Sequence, residues 1–219
     1  MKLNLVCVLI LFGLGLAQAS EKRDYPAHWW EKVPESQRQG SWEILPHEAK
    51  KGELILSKRN ELGQFSNFGH TPFILDGVEY ASVEALWQMM KYPDVYDLDD
   101  PRIKIDYPYS RLEVIEMFGF EAKKAGDLAN EINKQHGFDF VSYQGHKFDY
   151  KDRGAGSEHH YQIIRKALIA KVFQNNHLKQ LLLKTKGLIL KPDHHQGENR
   201  PKSYFYHEIL MDIRDNILK

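Results

Sequence analysis

Glu84, Gln88 and Lys91 stand at i, i+4 and i+7 in the stretch Ser82-Val83-Glu84-Ala85-Leu86-Trp87-Gln88-Met89-Met90-Lys91. On a helix this spacing puts a carboxylate, an amide and an ammonium in one row. Such a row can line a polar pocket. It can equally be a solvated face, with the glutamate answering the helix dipole. Upstream, Phe65-Ser66-Asn67-Phe68 reads as a loop feeding polar and aromatic groups toward the same helix. A buried carboxylate beside amide and cationic groups suits cleavage of an N-glycosidic bond, which breaks through an oxocarbenium-like state. In that reaction Glu84 would stabilise the developing charge or activate water. Asn67 and Gln88 would orient ribose hydroxyls, and Lys91, with Arg59 or Lys123, would meet phosphate. Phe68 and Trp87 would stack on rings, although Trp87 reads equally well as core.

The elements that must hold these groups can be read locally. Thr71 to Leu75 is a short apolar run, Asp76-Gly77 signals a hairpin turn, and Val78-Glu79-Tyr80 alternates as a second strand. Ser82 offers an N-cap to a helix that runs to Tyr92, where Pro93 stops it. Val83, Leu86, Trp87 and Met90 form the apolar stripe of that helix, one position from the polar row.

Phe-Ser-Asn-Phe, a Pro-Phe run, Asp-Gly, a Tyr, Ser82-Val83-Glu84 and Trp87-Gln88-x-x-Lys91 resemble, as an ordered set, the NADAR superfamily, the YbiA-like proteins associated with NAD and ADP-ribose metabolism. Arg165 to Leu168, Lys171 to Asn175, Leu181 to Thr185 and Ile209 to Arg214 form a second similar block. Glu121 to Gly126 is a third. The resemblance spans residues 53–218. It implies a mostly helical fold and N-glycosidase activity on phosphorylated riboflavin-pathway intermediates or ADP-ribosylated nucleobases. The family carries a Trp-Gly-Asp-like stretch, with an acid tied to catalysis, where this chain has Asp193-His194-His195-Gln196-Gly197-Glu198. The resemblance therefore makes Asp193 or Glu198 the candidate second acid. The expected substrate is a small nucleotide or an ADP-ribosylated molecule, and the chemistry asks for no cofactor.

The rest of the chain frames that reading. Lys2, the apolar run Leu3 to Leu16 and Ala17-Gln18-Ala19 form a secretory signal pattern, cleaved before Ser20. Cys7, the chain's one cysteine, falls inside it. The exported chain would hold no disulfide and no thiolate nucleophile or ligand. It would lie in the periplasm or outside the cell, with no membrane attachment after cleavage. With Lys2 gone, basic and acidic side chains nearly balance, which gives no nucleic-acid signature. Residues 20–52 read as a Trp-rich arm whose Trp29, Trp30 and Trp42 pack over the main domain, residues 53–219.

The remaining pattern predicts a mainly α chain with a small antiparallel β element, an α+β single domain. A strand covers Glu53 to Ser57. A short helix capped by Ser110 runs to Phe118. Helices follow over Glu121 to Gln135, from a Ser157 cap to Gln174, from Asn176 to Gly187, and from Tyr204 to Leu218. A loose hairpin turns at Gln144-Gly145, and Gly187 to Lys191 is a strand. Ile164, Ala167, Leu168 and Phe173 are expected in the core. Gly126, inside a helix, predicts a close backbone approach. Two rival readings remain open. Asp193-His194-His195, with Glu198 and His159-His160, could bind a metal for phosphoester hydrolysis. Alternatively the chain is a non-catalytic envelope module that binds a nucleotide or protein.

Overall fold

Ser82, Pro93 and the residues between them build the central element. The computed structural model describes residues 24–197 and 199–218, so the signal pattern and Glu198 lie outside the described residues. Helix α1, Val83–Met89, is buried at every position. Ser82 is in extended backbone and its hydroxyl accepts from Ala85 N, as expected for an N-cap. A short buried helix leaves several carbonyls without intrahelical partners. Two arginines answer them. Arg102 donates to Met90 O and Lys91 O, and Arg111 donates to Tyr92 O. Arg102 is fully buried and is paired with the equally buried Asp100 at 2.7 Å. Burying that charge is tolerable because its donors are used on carboxylate and carbonyls together.

Around α1 stand α2 (Arg111–Val114), α3 (Gly119–Gln135), α4 (Ala155–Gln174), α5 (Asn176–Lys184) and α6 (Tyr206–Asp212), which runs into a π-helical turn, Ile213–Ile217. α3 and α4 pack on α1 from two sides. The strands are short: β1 (Glu53–Ile55), β2 (Phe73–Leu75), β3 (Val78–Tyr80), β4 (Val141–Tyr143), β5 (His146–Phe148) and β6 (Ile189–Lys191). β2–β3 and β4–β5 are antiparallel hairpins. Their turns, Asp76-Gly77 and Gln144-Gly145, place both central residues at positive φ, as two-residue hairpins of primed type need. β1 and β6 pair in parallel, with Leu54 opposite Leu190. The chain is thus mainly α in one domain, but its β part is not wholly antiparallel. No helix among the described residues is long and apolar enough to cross a membrane.

Several expected boundaries move for local reasons. The Ser110–Glu113 capping box forms, yet α2 ends at Val114. Gly119, at φ +59°, starts α3 two residues earlier than the pattern suggested. α4 begins at Ala155 and not after Ser157, because the Asp152 carboxylate accepts from Gly154 N, Gly156 N and Ser157 N and caps the helix itself. Phe173, expected in the core, is 46% exposed, since it falls on the outer face of α4. α5 stops at Lys184, ahead of Gly187. Of the three arm tryptophans, Trp29 is buried and donates to Glu61, and Trp30 donates to Glu53 O. Trp42 is left half-exposed.

Candidate active site

A cavity of about 630 Å³ opens beside α1, within the range that encloses a small organic ligand. Glu84, Trp87, Gln88 and Lys91 form one wall, as the row on the helix requires. Gln88 donates to Glu84 Oε1 at 2.5 Å, so the i, i+4 pair orients the carboxyl. Oε2 of Glu84 meets no donor among the described residues. Burial pushes the Glu84 pKa above the usual carboxylate value, against the opposing pull of Gln88 and Lys91. Lys91 is almost wholly buried, and its pKa is brought down to about 8 by that burial, with Glu84 opposing. Its Nζ has neither a hydrogen bond nor an ion pair with the described residues, and lies 5.0 Å from the Trp87 ring centroid.

The Phe-Ser-Asn-Phe loop forms the second wall. Three successive carbonyls of this loop are tied to three different helices. Ser66 O accepts from Lys171 of α4 at 2.8 Å, Asn67 O from the Glu84 amide of α1 at 2.9 Å, and Phe68 O from the Gly119 amide of α3 at 3.1 Å. With its backbone held on three sides, Asn67 lines the cavity, and its Oδ1 is buried without a partner. Lys171 is fully buried with that one bond, and burial lowers its pKa to about 7.

Trp87 is a core residue that also reaches the cavity. His160 of α4 lies 4.2 Å from it and Tyr150 lies 4.6 Å from it, ring centroid to centroid, so the floor is aromatic. Burial depresses His160 to a pKa of about 3, which keeps the imidazole neutral. Its Nδ1 is 2.9 Å from Ser203 Oγ, and its Nε2 is unpartnered. Five buried side-chain polar atoms lack partners among the described residues. Four of them belong to cavity residues: Asn67 Oδ1, Gln88 Oε1, His160 Nε2 and Tyr206 OH. Unpaired buried polar groups are costly, so such clustering marks a place where water or a ligand completes the bonding.

Other expected site residues lie elsewhere. Arg59 does not line the cavity. Its guanidinium binds the buried Glu43 through Nε at 2.7 Å and Nη2 at 2.9 Å, which ties the arm down and leaves no fork for phosphate. Asp193 is buried behind the cavity, held by Lys58 at 2.6 Å and by His194 at 3.0 Å. Its own burial raises the carboxyl pKa, but His194 and Lys58 outweigh this and keep it below the usual range. It is therefore a fixed anion and not a proton donor facing the ligand. Glu198 lies outside the described residues. Lys123 reaches the cavity but pairs with Asp127 at 2.6 Å on the surface. Phe68 lines it too, edge-on to Phe120 at 5.3 Å. No group of three His, Cys, Asp or Glu that could hold a metal ion occurs among the described residues. His160 faces the cavity while His159 contacts Phe148 away from it.

No protein-family model matches the chain, and no curated protein matches it. Among solved structures, it is similar to the NMR structure of the E. coli protein YbiA, with 21% sequence identity, over 74% of this chain and 84% of that one, at a TM-score of 0.44.

For four cavity residues the sequence carries no signal for this chemistry. Tyr206 lies in a helix that reads as core packing, and His160 reads only as part of a His159-His160 pair that could ligate a metal. Arg200 lies in a polar loop with nothing to single it out. It lines the cavity 6.0 Å from the Tyr204 ring centroid, and no carboxylate among the described residues pairs with it. Trp42 reads as one anchor among three, yet its ring lines the cavity.

Proposed function

We propose that this protein hydrolyses the N-glycosidic bond between a base and ribose in an ADP-ribose-type or phosphoribosyl nucleotide. One observation carries the reading. A buried carboxyl, Glu84, lines a cavity together with Asn67, Gln88, His160 and Tyr206, each of which carries a buried polar atom without a partner among the described residues. Those groups match the hydroxyl-rich, uncharged surface of a ribose. The aromatic floor of Trp87 and Tyr150 matches a planar base. The sequence motifs that resemble the NADAR superfamily support the same reaction class.

The chemistry follows from the geometry. As the bond from C1 to the base nitrogen lengthens, positive charge grows on the ribose. Glu84 is the carboxylate available to offset it, in a site where water no longer screens the attraction. Its raised pKa also makes it a stronger base than an exposed glutamate, able to take a proton from the water that attacks C1. Gln88 fixes Oε1, so Oε2 is the oxygen that acts. Lys91 and Arg200 supply positive charge for phosphate. Export through the signal pattern at residues 1–19 is part of the proposal and places the reaction outside the cytoplasm.

The test is base release from NAD, ADP-ribose conjugates, ADP-ribosylated guanine and ribosyl-aminopyrimidine phosphates, followed by chromatography with and without EDTA. Release that survives EDTA and falls at least 100-fold in Glu84→Gln is the expected result. One observation favours a second reading. With Asp193 neutralised by Lys58 and His194, Glu84 is the one buried acid on the cavity among the described residues. Saturable binding without any release would make the protein a nucleotide-binding module.

A further inference from the structure

The N-terminal arm does more than cover the core. Residues 42–44 run alongside residues 193–195, the loop that walls the cavity. Ile44 N donates to Asp193 O at 2.8 Å, His195 N donates to Trp42 O at 3.2 Å, and Glu43 and His194 form an antiparallel bridge. The Glu43 carboxylate is held by Arg59 and by Gln39 N. The backbone of Trp42 is therefore fixed on both sides. Its indole is not covered in return: 41% of the residue is exposed, and Nε1 has no hydrogen-bond partner among the described residues. Gly40 accommodates the ring, since a Cβ there would lie 2.6 Å from Trp42 Nε1. A large aromatic ring on a rigid backbone, left open at the edge of a cavity, is a stacking surface for a ligand.

The cavity thus has two aromatic stations that differ in depth. Trp87, Tyr150 and His160 are buried with Glu84 at the inner end. Trp42 and Phe120 are exposed at the mouth, and Arg200 and Lys58 lie there too. A cleaved base and its ribose occupy the inner end if Glu84 is the acting group, so this inference rests on the proposed hydrolase site. What reaches the mouth must then carry negative charge followed by a second planar ring.

We propose that Trp42, brought in by the N-terminal arm, stacks on the distal ring of the substrate and selects a dinucleotide-type substrate, a nucleoside diphosphate joined to the cleaved ribose, over a phosphoribosyl mononucleotide. The arm is then a specificity element.

Titration calorimetry of the purified protein with ADP-ribose and with ribose 5-phosphate tests this without requiring turnover. Trp42→Ala should weaken ADP-ribose by about 10- to 100-fold, the range for loss of one aromatic stack. It should change ribose 5-phosphate by less than about twofold. Trp42→Phe should keep most of the affinity, which separates stacking from folding. Gly40→Ala, which pushes the indole from its seat, should reproduce part of the loss. Equal weakening of both ligands, unchanged ADP-ribose affinity in Trp42→Ala, or no ADP-ribose binding to the parent protein would each overturn the proposal. If ADP-ribose binds in the expected pattern but no substrate is cleaved, the hydrolase reading falls and the Trp42 subsite stands.

Discussion

Gly126 of α3 gives Gln88 of α1 its place: a Cβ at residue 126 would lie 1.6 Å from Gln88 Oε1 and 2.3 Å from its Cδ. The glycine is a packing residue with a consequence for chemistry, because Gln88 is the group that orients Glu84. Gly126→Ala should gain about 1 kcal/mol of helix propensity and lose a similar amount to crowding. Little net change in melting temperature is expected, together with at least a tenfold fall in kcat/KM for base release. An unaltered kcat/KM would show that Gln88 has no part in orienting the carboxyl.

Lys91 carries a stability penalty that depends on pH. Its folded pKa of about 8 lies below the ordinary value of 10.5. Below about pH 8 both folded and unfolded chains hold the proton, and the penalty is complete. Between about 8 and 10.5 the folded chain sheds it first, so stability rises with pH across that window. Lys91→Met should therefore be more stable than the parent at pH 7, by about 1–3 kcal/mol, with the advantage gone near pH 10.5. Its activity should be lost. Denaturant melts at a series of pH values measure the difference, and a constant gap would refute the assignment.

Lys171 acts on the site through a carbonyl. Removing it in Lys171→Met takes away one of the two donors to Ser66 O, the other being Gly69 N at 3.1 Å, at a cost of about 0.5–1.5 kcal/mol. The loop that presents Asn67 then keeps two of its three ties. Hydrogen exchange should accelerate at residues 66–68 while the β4–β5 hairpin is unchanged. Uniform acceleration across the chain would mean that Lys171 supports the fold and not this loop.

Arg59 should matter through the arm. Arg59→Ala strands a buried Glu43 carboxylate and should destabilise by about 2–3 kcal/mol. Glu43→Gln in the same chain should recover part of that loss, which a phosphate-binding role for Arg59 would not predict. Denaturant melts of the two single variants and the double variant give the coupling directly.

How far the sequence discloses this structure depends on the range of each signal. The Ser82 cap, the spacing of Glu84, Gln88 and Lys91, and both Asx-Gly or Gln-Gly turns are local, and they appear where the residues place them. Asp152 capping α4 in place of Ser157 is a local competition between two good caps, which sequence alone does not rank. The surroundings of Arg59, Asp193 and Trp42 are not legible in the sequence for a different reason. Each role depends on a partner far along the chain, Glu43, Lys58 and the residue 193–195 loop respectively. His160 reads in the sequence as half of a His159-His160 pair that could ligate a metal, and only the packing shows it as a buried ring on the cavity wall with His159 turned toward Phe148.

The parallel pairing of β1 with β6 imposes an order on how the molecule comes into being. The wall carrying Trp42 and the wall carrying His194 belong to opposite ends of the chain, and β1 cannot complete its hydrogen bonds until residues 189–191 exist. Tyr206, which lines the cavity, comes later still. An emerging chain therefore has no assembled cavity until residues 189–206 are free, and the two walls come together in one late step.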